Sequence, residues 1–158
     1  MKILVFGHSG QVATELRALD GDDVQITALS RAEADLTNPE ICVAAINAHA
    51  PDAVINAAAY TAVDKAESDA ETAQIINADA PAAMAQACAA RDIPFVSIST
   101  DYVFSGAGDT PWAPADTTNP QGVYGRTKRD GEVEIVKAGG RYAVLRTTWV
   151  VSAHGNNF

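Results

Sequence analysis

Five short apolar runs punctuate the chain, separated by longer stretches rich in alanine and charged residues. Residues 2–6 (KILVF), 24–29 (VQITAL), 53–56 (AVIN), 94–99 (PFVSIS) and 142–147 (YAVLRT) read as strands. The first is apolar at nearly every position, as a strand buried on both faces of a parallel sheet requires. Helical stretches lie between them. One follows the first strand through Leu16 and Leu19. A second is capped by Thr37 or Asn38, has Pro39 near its first turn and runs to about His49. A third covers about 70–91, bent near Pro81, and a fourth runs from Tyr124 to about Lys137, closed by Gly139-Gly140. Strands alternating with helices predict an α/β fold, a doubly wound parallel sheet of the Rossmann type, with residues 1–158 as one domain. The chain shows no internal repeat and no low-complexity linker.

Composition narrows the partners. The 158 residues are 47% hydrophobic and 20% charged, enough apolar content for a substantial core. A net charge of -9 argues against a nucleic-acid-binding face. An anionic small ligand stays compatible, because helix N-termini and single basic residues bind phosphate locally. Cys42 and Cys88 are isolated in alanine-rich patterns and read as two buried thiols. His8, His49 and His154 form no metal-ligand spacing, so no metal site is indicated. No charged-then-apolar leader precedes the first strand and no apolar run reaches membrane length, so the expectation is a cytoplasmic chain with no membrane partner.

The first chemical motif follows the first strand at once. Gly7-His8-Ser9-Gly10-Gln11-Val12-Ala13 is a strand–glycine turn–helix unit, with Gly7 at the tight turn and Gly10 where backbone approaches a pyrophosphate. The residue after the second strand normally meets the adenosine ribose, where a carboxylate bonds the 2′-hydroxyl and an arginine accommodates a 2′-phosphate. Here the positions read Ser30-Arg31, with no carboxylate until Glu33, which favours NADPH and leaves NADH as the alternative. Ala57-Ala58-Ala59 after the third strand are small enough to let a cofactor lie across the sheet edge. Asn77 interrupts an apolar stripe, either bonding backbone or catalytic groups or serving as a satisfied structural asparagine.

The second motif is split between two segments. The fourth strand ends in Ser99-Thr100-Asp101-Tyr102-Val103-Phe104, which puts a hydroxyl at the carboxyl end of a parallel strand. The loop 106–121 is long for a plain connection and suits a substrate contact. Tyr124 and Lys128 then stand one helical turn apart on one face. A lysine there is expected to pull the tyrosine pKa down by stabilising phenolate.

Taken together, Gly10-Gln11-Val12, NAAAYTAVDKAE from Asn56 to Glu67, STDYVF from Ser99 to Phe104, Tyr124 to Lys128, and Arg146-Thr147-Thr148-Trp149-Val150 resemble the dTDP-4-dehydrorhamnose reductases. These form a family among the extended short-chain dehydrogenase/reductases of nucleotide-sugar metabolism. The resemblance implies NADPH-dependent reduction of a nucleotide-sugar ketone, with Thr100, Tyr124 and Lys128 catalytic. It implies that Gly10, Gln11, Val12, Asp35, Leu36, Ala57, Ala58 and Ala59 contact the cofactor, joined by Tyr124 and Lys128 at its nicotinamide end, with Asp35 and Leu36 flanking the adenine. Gly7, Ser30 and Arg31 join them from the turn and ribose positions, where Ser30-Arg31 departs from relatives with an acidic residue and puts NADH use in doubt. Thr100, Asp101 and Trp149 would face the nucleotide-sugar. Mg2+ accompanies some relatives but is not indicated by this sequence, and a homodimer is compatible with the family. Asp101 is followed by Tyr102 rather than glutamate, so the second acid/base residue of the related sugar dehydratases is absent. Sugar epimerases share the Tyr-Lys pair and stay open. Family members continue into a C-terminal substrate lobe that is largely absent from this chain. The second expectation is therefore a truncated or regulatory dinucleotide-binding module without turnover, as in the regulatory subunit of methionine adenosyltransferase.

Overall fold

The structure, a computed structural model, describes residues 1–154. Of the polar end read over 152–158, residues 155–158 lie outside the described residues. Five strands form one sheet: β1 (Lys2–Phe6), β2 (Gln25–Leu29), β3 (Ala53–Asn56), β4 (Phe95–Thr100) and β5 (Tyr142–Thr147). All pairings are parallel and the order is β2-β1-β3-β4-β5. The chain steps outward from β1 to β2 and then returns past β1 to β3. That reversal opens a crevice at the carboxyl ends of β1 and β3, the place where doubly wound sheets take ligands.

Helices α1 (Gln11–Arg17), α2 (Pro39–His49), α3 (Val63–Ala66), α4 (Ala70–Gln74), α5 (Ala80–Ala89) and α6 (Val123–Ala138) connect the strands. Helix α5 packs between α2 and α6. Leu4, Phe6, Ile46, Val54, Met84 and Phe95 form the main core beneath them, all nearly inaccessible to solvent. Burying side chains of this size contributes about 1.5–3 kcal/mol each. Val5 and Ala13 are also fully buried but lie outside that cluster, so β1 is covered on both faces, as its unbroken apolar run requires.

Local signals explain most of the boundaries. Asn38 caps α2 by accepting a hydrogen bond from the Glu40 N–H at 3.2 Å, and Pro39 occupies the first turn. Gly139 ends α6 at φ 71°. The third helix departs from expectation. Its irregularity is a π-helical turn over Ile75–Asp79, upstream of Pro81, and the helix ends at Ala89. Pro81 sits in the first turn of α5, where its missing N–H is tolerated. The widened turn is set instead by Asn77, whose side chain is drawn into hydrogen bonds on both sides.

Candidate active site

Two cavities of about 480 Å³ and about 400 Å³ meet along the carboxyl edge of the sheet. Gly10, Ala57, Ala58, Ala59 and Thr61 line both, so they form one continuous trough. Its floor is backbone and methyl groups. Gly7 adopts φ 115° and donates its N–H to Leu29 O at 3.0 Å, turning the chain out of β1. A Cβ built on Gly10 would meet no atom within 4 Å, so that backbone faces open space. Ala57 donates to Phe6 O at 2.9 Å and Ala58 to Asn56 Oδ1 at 3.2 Å, which fixes the alanine run against β1. Asn56 Nδ2, buried behind this run, has no protein partner. The trough is elongated, with the Gly10 turn and the alanine run common to both of its ends.

One end of the trough is built by the segment after β2. Ser30, Arg31, Ala34, Asp35 and Leu36 line it together with Gly7. The Glu33 carboxylate folds back onto Ser30, accepting from its N–H at 2.8 Å and its hydroxyl at 2.7 Å. Those bonds, the hydroxyl's first, hold the Glu33 pKa below the usual carboxylate range. The spacing Ser30-x-x-Glu33 is a capping pattern, and it could have been recognised in the sequence. It brings a carboxylate to the position that the sequence shows as Ser30. Arg31 is largely exposed and pairs with Asp35 at 3.1 Å. The Thr37 backbone N–H, more than Arg31, lowers the Asp35 pKa. The guanidinium therefore stands at the rim of the cavity on a weak surface pair that another anion can replace.

The other end gathers the second motif. Gln11, Val12, Thr100, Asp101, Tyr124, Lys128 and Trp149 all line the same cavity. They come from the start of α1, the end of β4, the first turns of α6 and the segment after β5, which converge there. Successive faces of α6 have different duties. Val123, Thr127 and Gly131 face the 60–79 region, where Glu67 Oε1 accepts from the Val123 N–H at 2.7 Å and Asn77 Nδ2 donates to Thr127 Oγ1 at 3.1 Å. A Cβ on Gly131 would lie 2.2 Å from Asn77 O, so only glycine permits this approach. The adjacent stripe, Tyr124, Lys128 and Glu132, is thereby turned toward the ends of β4 and β5.

The electrostatics differ from the sequence expectation. The Tyr124 pKa is raised, because burial disfavours phenolate; a hydrogen bond with the Thr100 hydroxyl opposes this, while the Asp101 charge adds to it. Lys128 does not pull it down. Lys128 Nζ instead donates to Ile98 O at 2.7 Å, and burial pushes its own pKa down to about 8, against the attraction of Glu132. Thr100 Oγ1 donates to Asp101 Oδ1 and accepts from the Tyr102 N–H, each at 3.2 Å. Tyr102 packs edge-on against Tyr124, with ring centroids 5.6 Å apart. Trp149 is 75% exposed and adopts φ 40°, a left-handed backbone that non-glycine residues rarely occupy without a functional or packing reason.

Asn77 resolves between its two readings. Its Oδ1 accepts from the Tyr60 N–H at 2.9 Å and its Nδ2 donates to Tyr60 O at 3.1 Å as well as to Thr127. It bonds backbone and a helix hydroxyl, and no catalytic side chain. The sequence reading missed Glu132, buried and bonded to both Ser99 and Arg146. A glutamate one helical turn beyond Lys128 was the only signal the sequence offered, and it says nothing of burial or partners. Cys42 and Cys88 are buried thiols, with pKa values pushed up to about 11 and about 12 by desolvation. Among the described residues no group of three or more His, Cys, Asp or Glu side chains could hold a metal ion, and no helix is long and apolar enough to cross a membrane.

Comparison with known proteins places this geometry. Residues 1–158 match the RmlD substrate binding domain family. A dTDP-4-dehydrorhamnose reductase of Sinorhizobium fredii is 42% identical over 158 residues, covering 100% of this chain and 53% of its own length. The crystal structure of a dTDP-4-dehydrorhamnose reductase from Clostridium acetobutylicum superposes with a TM-score of 0.94 at 39% identity, covering 100% of this chain and 56% of that one. The reductase from Bacillus anthracis, solved in complex with NADP, gives 0.94 at 30% identity, with 99% of this chain and 56% of that one covered. The chain thus spans about half the length of the relatives it matches.

Proposed function

The chain belongs to the RmlD substrate binding domain family, and we propose that it forms the dinucleotide-binding part of an NADPH-dependent reductase of dTDP-4-dehydro-L-rhamnose, yielding dTDP-L-rhamnose. Residues 1–158 act as one dinucleotide-binding domain in this reading. The observation that carries it is the convergence of Thr100, Tyr124 and Lys128 on one end of a trough whose middle is the Gly10 turn and Ala57–Ala59. The complex of a 30% identical relative with NADP supports a nicotinamide dinucleotide as the trough's ligand.

Bound NADPH supplies the hydride for ketone reduction. The chain's residues manage the oxygen on which negative charge grows. Tyr124, whose pKa burial raises, donates the phenolic proton to that oxygen. The Thr100 hydroxyl, at the end of β4, offers a second hydrogen bond to the same atom. Lys128 is mostly charged at pH 7, since its pKa is about 8. An ammonium has three N–H donors, of which Ile98 O takes one, so Lys128 can also hold ribose hydroxyls. Arg31 holds the 2′-phosphate at the far end, and Asp35 and Leu36 flank the adenine. Asp101 and Trp149 face the sugar nucleotide.

The test is NADPH oxidation in the presence of dTDP-4-dehydro-L-rhamnose, comparing the protein with Tyr124→Phe. Loss of the proton donor is expected to slow turnover by about 10²–10⁴-fold. Equal turnover in both would remove Tyr124 from the proposed chemistry.

A further inference from the structure

Behind Lys128 lies a buried ion pair that the proposed chemistry does not use. Glu132, one turn further along α6, is 8% exposed. Its Oε1 accepts from Ser99 Oγ at 2.5 Å and from Arg146 Nε at 3.0 Å, and its Oε2 accepts from Arg146 Nη2 at 2.6 Å. The pair is therefore bidentate, with the carboxylate gripped from β4 and β5 together. The remaining arm of Arg146 donates from Nη1 to Pro114 O at 3.1 Å, and its guanidinium lies 4.9 Å over the Phe104 ring. Ser99 is the residue before Thr100, and its carbonyl accepts from the Thr147 hydroxyl at 3.2 Å. The carboxylate is thus fixed in position beside the Lys128 end of the cavity and joined to the loop before α6.

Buried charges act on one another strongly because water does not screen them. Glu132 attracts the proton of Lys128. Arg146 offsets that attraction by neutralising the carboxylate and by adding its own positive charge nearby. We propose that Glu132 and Arg146 are positioning residues that together set the charge state of Lys128, the glutamate holding the ammonium protonated and the arginine limiting that hold. The other titratable groups at this end of the site are Tyr124 on α6 and Asp101 and Tyr102 after β4. The 60–79 region meets α6 through neutral Asn77 at Thr127 and, at the start of the helix, through the Glu67 carboxylate at the Val123 N–H. The inference concerns the same Lys128 that the proposed function employs, but it rests on this chain's own residues and needs no cofactor to be tested.

The experiment is a pH titration of Lys128 by NMR, using chain labelled with ¹³C at lysine Cε and assigned with Lys128→Met. Wild-type Lys128 is expected to titrate near pH 8, the value burial gives it. Glu132→Gln should move the midpoint down by about one pH unit, and Arg146→Gln should move it up by a similar amount. Opposite signs are the decisive result, since loosened packing alone would expose Lys128 and move both midpoints upward. Unmoved midpoints, shifts of the same sign, or an equal shift in Glu134→Gln, a glutamate paired with Lys137 on another face, would overturn the proposal. Glu132→Gln is the deciding variant, because its downward shift is opposite in sign to that of loosened packing, and Glu132→Met takes its place if it fails to fold. Absence of NADPH binding would count against the proposed function and leave this titration unaffected.

Discussion

Asn77 Nδ2 donates to the Thr127 hydroxyl at 3.1 Å, and that hydroxyl in turn donates to Tyr124 O at 3.0 Å. A side chain on the π-helical turn thereby fixes the rotation of α6 at the residue between Tyr124 and Lys128. The same asparagine clamps both backbone groups of Tyr60, just beyond the alanine run that lines the trough. One buried amide joins the alanine run that lines the trough to the helix that carries Tyr124 and Lys128.

Asn77→Ala should therefore lower stability and disturb the site together. Removing a 2% exposed amide leaves the Tyr60 N–H and the Thr127 hydroxyl without their partner, a loss of about 2–4 kcal/mol. Chemical denaturation measures it. A loss below about 0.5 kcal/mol would show that the hydrogen bonds are replaced by water and that Asn77 is not the clamp.

Lys128 should be a stability liability at neutral pH. Its folded pKa, about 8, lies below the ordinary lysine value of 10.5 because burial penalises the ammonium. The penalty is present in full below pH 8, is relieved as pH rises between about 8 and 10.5, and is absent above that window. Lys128→Met is thus expected to stabilise the chain by about 1–3 kcal/mol at pH 7, with the gain fading toward pH 10.5. Urea denaturation at both pH values checks this. A gain independent of pH would assign the effect to packing.

Arg31 should discriminate between cofactors. Its pairing with Asp35 is at the surface and easily exchanged for a phosphate. Arg31→Ala is expected to weaken NADPH binding by about tenfold while leaving NADH nearly unchanged. Equal losses for both cofactors would deny the arginine a phosphate contact.

The strands, the glycine turn and the capped start of α2 were legible in the sequence because each is a local pattern: an apolar run, a glycine spacing, an asparagine before proline. Thr100, Tyr124 and Lys128 were legible as residues, and the structure brings them to one cavity. What was not legible depends on distant partners. The π-helical turn arises from bonds between Asn77 and residues 17 and 50 positions away. The direction of the Tyr124 pKa turns on burial, which a spacing of four from Lys128 does not reveal, nor does that spacing say that Lys128 Nζ points to Ile98 O. The role of Glu132 likewise appears only when Ser99 and Arg146 are placed beside it on neighbouring strands.

The central claim is that this chain holds a nicotinamide dinucleotide with Lys128 at its reactive end. Calorimetric titration of the chain with NADPH, alongside Lys128→Met, tests it most directly. The account predicts one NADPH per chain and an affinity at least about tenfold weaker in the variant, a difference of about 1.4 kcal/mol. No binding, or equal binding by a folded Lys128→Met, would contradict it.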